Sequence, residues 1–137
     1  MATTIRNNKV RNYLVEVQDS LLLVQKQRSA FISQISSDKF AYTEELTYKS
    51  MDFRKSINDM KKIANVSFRD CQRLQVLIKS MGNSYLKFNN KFHNGVYCNE
   101  LSDISIGLDF CHDGDNIYRN VKEKMAKLAK QYDIKLK

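Results

Sequence analysis

The sequence predicts an all-α fold, a helical bundle opened by a long N-terminal helical hairpin. Three observations carry that expectation. Val10, Leu14, Val17, Leu21, Val24, Phe31 and Ile35 recur at alternating steps of four and three, and only Arg28 interrupts the series. A helix turning once in about 3.6 residues stacks such positions along one narrow stripe. The chain also contains no proline, and no glycine precedes Gly82, so nothing breaks the first stretch. Finally, no run of residues alternates apolar and polar long enough to build a sheet; Ile104, Ile106 and Leu108 alternate, but a lone strand would have no partner.

The first helix is therefore expected to run for about seven turns, roughly 40 Å, ending near Ser36-Ser37-Asp38, where small polar residues favour caps and turns. Asp38 is the expected N-cap of a second segment, whose apolar positions run from Tyr42, Leu46 and Met51 to Phe53, Ile57, Met60 and Ile63. Asn65-Val66-Ser67 is the expected break. A third segment runs from Phe68 through Leu74, Leu77, Ile78 and Met81 to Tyr85, Phe88 and Phe92. Gly82 inside it marks a tight crossing or a kink, since glycine costs a helix about 1 kcal/mol relative to alanine. Asn89-Asn90 and Asn94-Gly95 predict the end of that helix, with a short helix near Val96–Ser102 and an apolar connector at Ile104, Ile106 and Leu108. Asp113-Gly114-Asp115 is then expected to turn the chain and cap a last helix reaching about Tyr132, striped by Ile117, Val121, Met125 and Leu128.

With 137 residues, the chain is expected to form one domain, 1–137. The start lacks a charged region followed by an apolar run, so no secretory signal is expected. Three cysteines form neither a paired framework nor a Cys-x-x-Cys motif, which favours a reducing compartment.

Charge is distributed unevenly around a formal net of +8. Residues 93–117 contain no Lys or Arg and five acids, whereas residues 118–137 contain seven Lys or Arg against two acids. Such a chain suits anionic lipid, nucleic acid, or copies of itself meeting through patches of opposite sign. The residues expected to meet an acidic membrane or acidic partner are Lys9, Arg11, Lys26 and Arg28 on the first helix and Lys122, Lys124, Lys127 and Lys130 on the last. Arg28, inside an otherwise apolar seam, is expected to fix register at a cost in stability, so that leucine there would stabilise the fold.

Catalytic and metal chemistry find little support. His93, Cys98, Cys111 and His112 lie within twenty residues, but Cys111 and His112 are adjacent and His93 and Cys98 do not form a standard zinc pair. His112-Asp113-Gly114-Asp115 lacks the ordered oxygen ligands of a calcium loop. No nucleophile elbow and no glycine-rich phosphate cradle can be drawn. No cofactor, metal or small-molecule substrate is expected, and the protein reads as a non-enzyme. The alternative function is a basic helical nucleic-acid-binding protein, with Tyr85, Phe88 and Phe92 as stacking residues.

Several segments, taken in order, carry a resemblance. Val10 to Leu14, then Leu21-Leu22-Leu23-Val24-Gln25-Lys26-Gln27-Arg28, form a leucine-rich turn running into a basic cluster. Ser84-Tyr85-Leu86-Lys87-Phe88, Val96-Tyr97-Cys98-Asn99-Glu100-Leu101, and Val121 to Met125 with Leu128-Ala129-Lys130-Gln131-Tyr132-Asp133-Ile134 follow. Together they resemble the increased-sodium-tolerance family, ESCRT-III-like proteins that modulate the AAA ATPase of the multivesicular body pathway. The middle is shorter than in that family by about one helix pair, and Asp113-Gly114-Asp115 stands where prolines are common. The resemblance implies a cytoplasmic protein, peripheral at endosomal membranes, that binds ESCRT-III-type helical subunits or itself. The C-terminal motifs by which relatives engage the ATPase have no counterpart here, so the resemblance implies assembly or partner binding rather than ATPase recruitment.

Overall fold

The computed structural model describes residues 2–34, 42–65 and 69–136, with the side chains of the first helix described from residue 7. Helix α1 spans Ala2–Ile32 and α2 spans Glu44–Ala64. A 3-10 turn at Arg69–Cys71 leads into α3, Gln72–Cys98, and α4 spans Leu101–Gln131. Consecutive helices run antiparallel, and the principal contacts join α1 to α2, α2 to α3 and α3 to α4. The product is an up-down-up-down four-helix bundle. The long N-terminal hairpin is present, and a second hairpin of similar length packs against it.

Every helix carries the three-four spacing that buries one stripe. In α1 the stripe is Val10, Leu14, Val17, Leu21, Val24 and Phe31; in α2 it is Leu46, Ser50, Phe53, Ile57, Met60 and Ala64. In α3 it is Leu74, Ile78, Met81, Tyr85, Phe88 and Phe92. In α4 it is Ile104, Gly107, Cys111, Gly114, Val121, Met125 and Leu128. Both ends of α2 and the C-terminus of α3 are closed by local hydrogen bonds. The Thr43 hydroxyl accepts from the Leu46 amide at 3.1 Å, with Glu44 and Glu45 in the first turn of α2 and Lys61 and Lys62 in its last, the arrangement the helix dipole favours. Asn99 takes the left-handed conformation (φ 57°) and lets the Glu100 amide reach the Gly95 carbonyl at 2.8 Å, which reverses the chain between α3 and α4.

Several sequence-based expectations are overturned in the second half. Asn89-Asn90 and Asn94-Gly95 do not end a helix, Val96–Ser102 is not a separate helix, Ile104 to Leu108 is not a connector, and Asp113-Gly114-Asp115 is not a turn. Tertiary packing outweighs local propensity at each place. Asn89 is fully buried; it donates to the Ser50 carbonyl at 2.9 Å and accepts from the Ser50 hydroxyl at 2.8 Å. A Cβ on Gly95 would lie 2.7 Å from the Ile104 amide nitrogen, and one on Gly107 would lie 2.8 Å from the Phe92 amide nitrogen. A Cβ on Gly114 would lie 2.6 Å from the Tyr85 ring. These glycines allow α3 and α4 to approach closely. The cap expected at Asp38 and the first-helix end expected near Ser36-Ser37-Asp38 lie outside the described residues; the cap observed for α2 is Thr43.

Aromatic rings fill the end of the core where α3 turns into α4. The Phe31 ring lies 5.5 Å from Phe88 and 5.5 Å from Phe92, centroid to centroid, and Phe53 lies 5.8 Å from Tyr85. Tilted and edge-on pairs at such distances add attraction beyond area burial.

Candidate functional site

The charged break in the α1 seam meets a partner inside the bundle. Arg28 donates from Nε to Asp115 Oδ1 at 2.9 Å and from Nη2 to Oδ2 at 2.6 Å. Asp115 Oδ1 also accepts from the Tyr85 hydroxyl at 2.5 Å, and Gln25 Nε2 donates to the Tyr85 oxygen at 2.9 Å. The network ties α1 to both α3 and α4. Burial is the largest influence and works against the Arg28 charge, but the hydrogen bond to Asp115 together with the charges of Cys111, Asp115 and Tyr85 outweighs it and holds the guanidinium charged. Burial, reinforced by Asp115, raises the Tyr85 hydroxyl well above its ordinary value, so it stays a proton donor. Burial likewise pushes the Cys71 and Cys111 thiols up to about 11, whereas Cys98 is exposed.

The residues expected to meet a membrane or acidic partner fall into distinct groups. Arg28 is about three-quarters buried and engaged with Asp115. Lys9, Arg11 and Lys26 are exposed along α1. Lys122 and Lys130 flank the side of α4 that looks toward α1, and Lys122 sits over the Tyr118 ring at 5.4 Å. Lys124 and Lys127 lie on the other side, beside Arg73 and Val76 of α3. Because the helices alternate in direction, the start of α1, the end of α2, the start of α3 and the end of α4 share one end of the bundle. Lys61, Lys62 and Lys79 converge there with Lys124 and Lys127 around Val76, which is 68% exposed. The opposite end carries Glu44, Glu45, Glu100, Asp103 and Asp109. Among the described residues no ion pair neutralises Lys62, Lys122, Lys127 or Lys130.

A second feature of the basic end was not anticipated from the sequence. Below the Arg28–Asp115 pair, α1 and α4 part and leave a groove of about 630 Å³. Leu21 and Leu22 form one wall, Met125, Ala126 and Ala129 the other, with Tyr118 at the upper end and Ile134 and Leu136 at the lower. The only sequence signal was that Leu22 and Leu23 are apolar yet lie off the seam; Leu22 is 53% exposed. Which helix faces it is a tertiary fact.

The histidines and cysteines weighed as metal ligands do not converge. Cys111 is buried, Cys98 and His112 are exposed, and His93 Nε2 shares a hydrogen bond with the Thr47 hydroxyl at 3.0 Å. Among the described residues no group of three His, Cys, Asp or Glu side chains is placed to hold a metal ion. Tyr85, Phe88 and Phe92, weighed as base-stacking residues, are all buried. No described helix is long and apolar enough to cross a membrane.

Fold and surface thus define, among the described residues, an antiparallel four-helix bundle with a basic end and an apolar groove between its first and last helices. Compared with known proteins, the chain matches no family model, no curated protein and no solved structure.

Proposed function

We propose that the protein is a non-enzymatic assembly or adaptor subunit that seats its basic end on an acidic membrane, in the manner of the ESCRT-III-like proteins that its sequence resembles. In that role it works with related helical subunits at endosomal and multivesicular body membranes. One observation carries the reading: Lys61, Lys62, Lys79, Lys124 and Lys127, from three helices, crowd one end of the bundle around an exposed apolar residue. Each such cation contributes about 1 kcal/mol near an anionic bilayer, so a handful acting together suffices for peripheral attachment. An exposed Val76 among them adds a small apolar contact with the headgroup region. A nucleic-acid reading loses the stacking residues it invoked, because Tyr85, Phe88 and Phe92 lie in the core, and the exposed Tyr42, Tyr48 and Tyr97 lie away from the basic end.

The test is co-sedimentation with vesicles containing about one-third phosphatidylserine against neutral vesicles, over a salt series and with competing RNA. The expected result is pelleting on the anionic vesicles alone, lost with Lys62→Glu plus Lys127→Glu and resistant to RNA, with protein coats visible by negative stain. Equal recovery from both vesicle types, or release by substoichiometric RNA, would overturn the reading.

A further inference from the structure

We infer that the groove between α1 and α4 is a docking site for an amphipathic helix of a partner protein, one whose apolar stripe is flanked by acidic residues. The inference goes beyond membrane attachment and does not depend on it.

In an up-down-up-down bundle each helix has two neighbours; the smaller openings between α2 and α3 (about 550 Å³) and between α3 and α4 (about 450 Å³) are lined mainly by charged and polar side chains, whereas the one between α1 and α4 is lined mainly by apolar ones. The α1–α4 pair is fastened by Arg28–Asp115 and open below it. The opening is apolar at its floor, through Leu21 and Met125, and apolar at its lip, through Leu22 and Ala126. Alanines at positions 126 and 129 keep the α4 wall low, and small residues on a helix face let a second helix backbone come near. A volume of about 630 Å³ matches a few inserted leucine-sized side chains rather than a flat contact.

Charge selects among occupants. Lys122 and Lys130 stand on the rim eight residues apart, about 12 Å along α4. No acidic residue lines the groove among the described residues, and no described carboxylate pairs with either lysine. A helix lying along the groove with acids two turns apart would meet both ammonium groups while its apolar stripe enters between Leu22 and Ala126. A helix with basic flanks would place like charges together, which costs affinity and slows encounter.

The probe is a displayed library of 20-residue helical peptides with a fixed leucine stripe and with flanking positions randomised among Glu, Lys, Gln and Ser. Selection uses the full chain. Enrichment of peptides with Glu two turns apart is expected, with affinity falling at least tenfold for Ala126→Trp, which fills the groove at an exposed position, and for Leu22→Glu. Lys122→Glu plus Lys130→Glu should invert the preference toward Lys-flanked peptides. Circular dichroism and thermal melts establish that each variant stays folded. No enrichment, enrichment without charge preference, or binders indifferent to Ala126→Trp would overturn the inference. A dimer in sedimentation that disappears with Ala126→Trp would assign the groove to a second copy, and displacement of bound peptide by anionic vesicles would assign it to lipid; either overturns it. Vesicle co-sedimentation of Ala126→Trp, with the basic end intact, tells failure here from failure of the membrane reading.

Discussion

Along α4, the face turned to α3 packs backbone-close at Gly107 and Gly114, whereas the face turned to α1 is joined at the Arg28–Asp115 pair and opens into an apolar groove below it. The difference follows from what each seam has at its centre. Toward α3, Gly107 and Gly114 leave room for Phe92 and Tyr85, so large and small residues alternate and two backbones meet. Toward α1, Lys122 and Ala126 occupy the positions where bulky apolar side chains would be needed to close the gap. One helix can thus serve as core on one side and as binding surface on the other, with the side-chain sequence deciding which.

The sharpest way to break this contrast is to cut equally apolar residues from each region. Phe88→Ala, in the ring cluster, is expected to cost about 3–5 kcal/mol by urea denaturation, whereas Leu22→Ala at the groove lip should lie within about 0.5 kcal/mol of the parent. A comparable loss for Leu22→Ala would show that the groove is core. Second, Gly107→Ala should cost about 1–3 kcal/mol, because the new methyl meets backbone that cannot move aside. Gly82→Ala meets the flexible Lys61 side chain at 3.1 Å and the Ile57 methyl at 3.4 Å, with no backbone in the way, and should be neutral or stabilising by up to about 1 kcal/mol. Equal effects at the two glycines would remove the close-approach argument.

Third, Arg28→Leu is expected to destabilise by about 1–2 kcal/mol, since it leaves a mostly buried Asp115 carboxylate without its cation while the pair's partial exposure keeps the loss below that of a fully buried one. This reverses the stabilisation expected from the seam alone. Adding Asp115→Leu should recover most of the loss, and a thermodynamic cycle over the two changes measures the coupling. Smallest is the pH effect at His93. Burial, with Arg54 nearby, lowers its pKa from 6.5, so the unfolded chain takes up the proton first. Its share of stability is whole above 6.5 and declines as pH falls through that value. Melting temperatures at pH 7.5 and 5.5 should differ less in His93→Gln than in the parent.

How much of this was legible in sequence depends on whether the deciding contact is local. The α1 seam from Val10 to Phe31 could be read directly, because spacing within one helix fixes which face is buried. The polarity of charge could be read too, since the acidic stretch and the lysine-rich stretch are contiguous in the chain. Gly95, Gly114 and Asn89 carry the local signal of helix ends or turns, but their role is to admit Ile104 of the next helix, to admit Tyr85 and to bond Ser50, contacts between helices that no local signal reports. Asp115 carries the local signal of a helix cap, yet it answers Arg28, 87 residues away. The groove needed knowledge of which helix sits beside which, and no periodicity within one helix reports that.

The order of the helices also has a kinetic consequence. All the extensive contacts join helices that follow one another along the chain, so no long loop must close before the first stabilising interactions form. Bundles with such local topology fold in microseconds to milliseconds. The α1–α4 closure is the one step that waits for the whole chain, and its fastening by Arg28 and Asp115 should form last. Stopped-flow refolding of Arg28→Leu would then show an unchanged folding rate and faster unfolding.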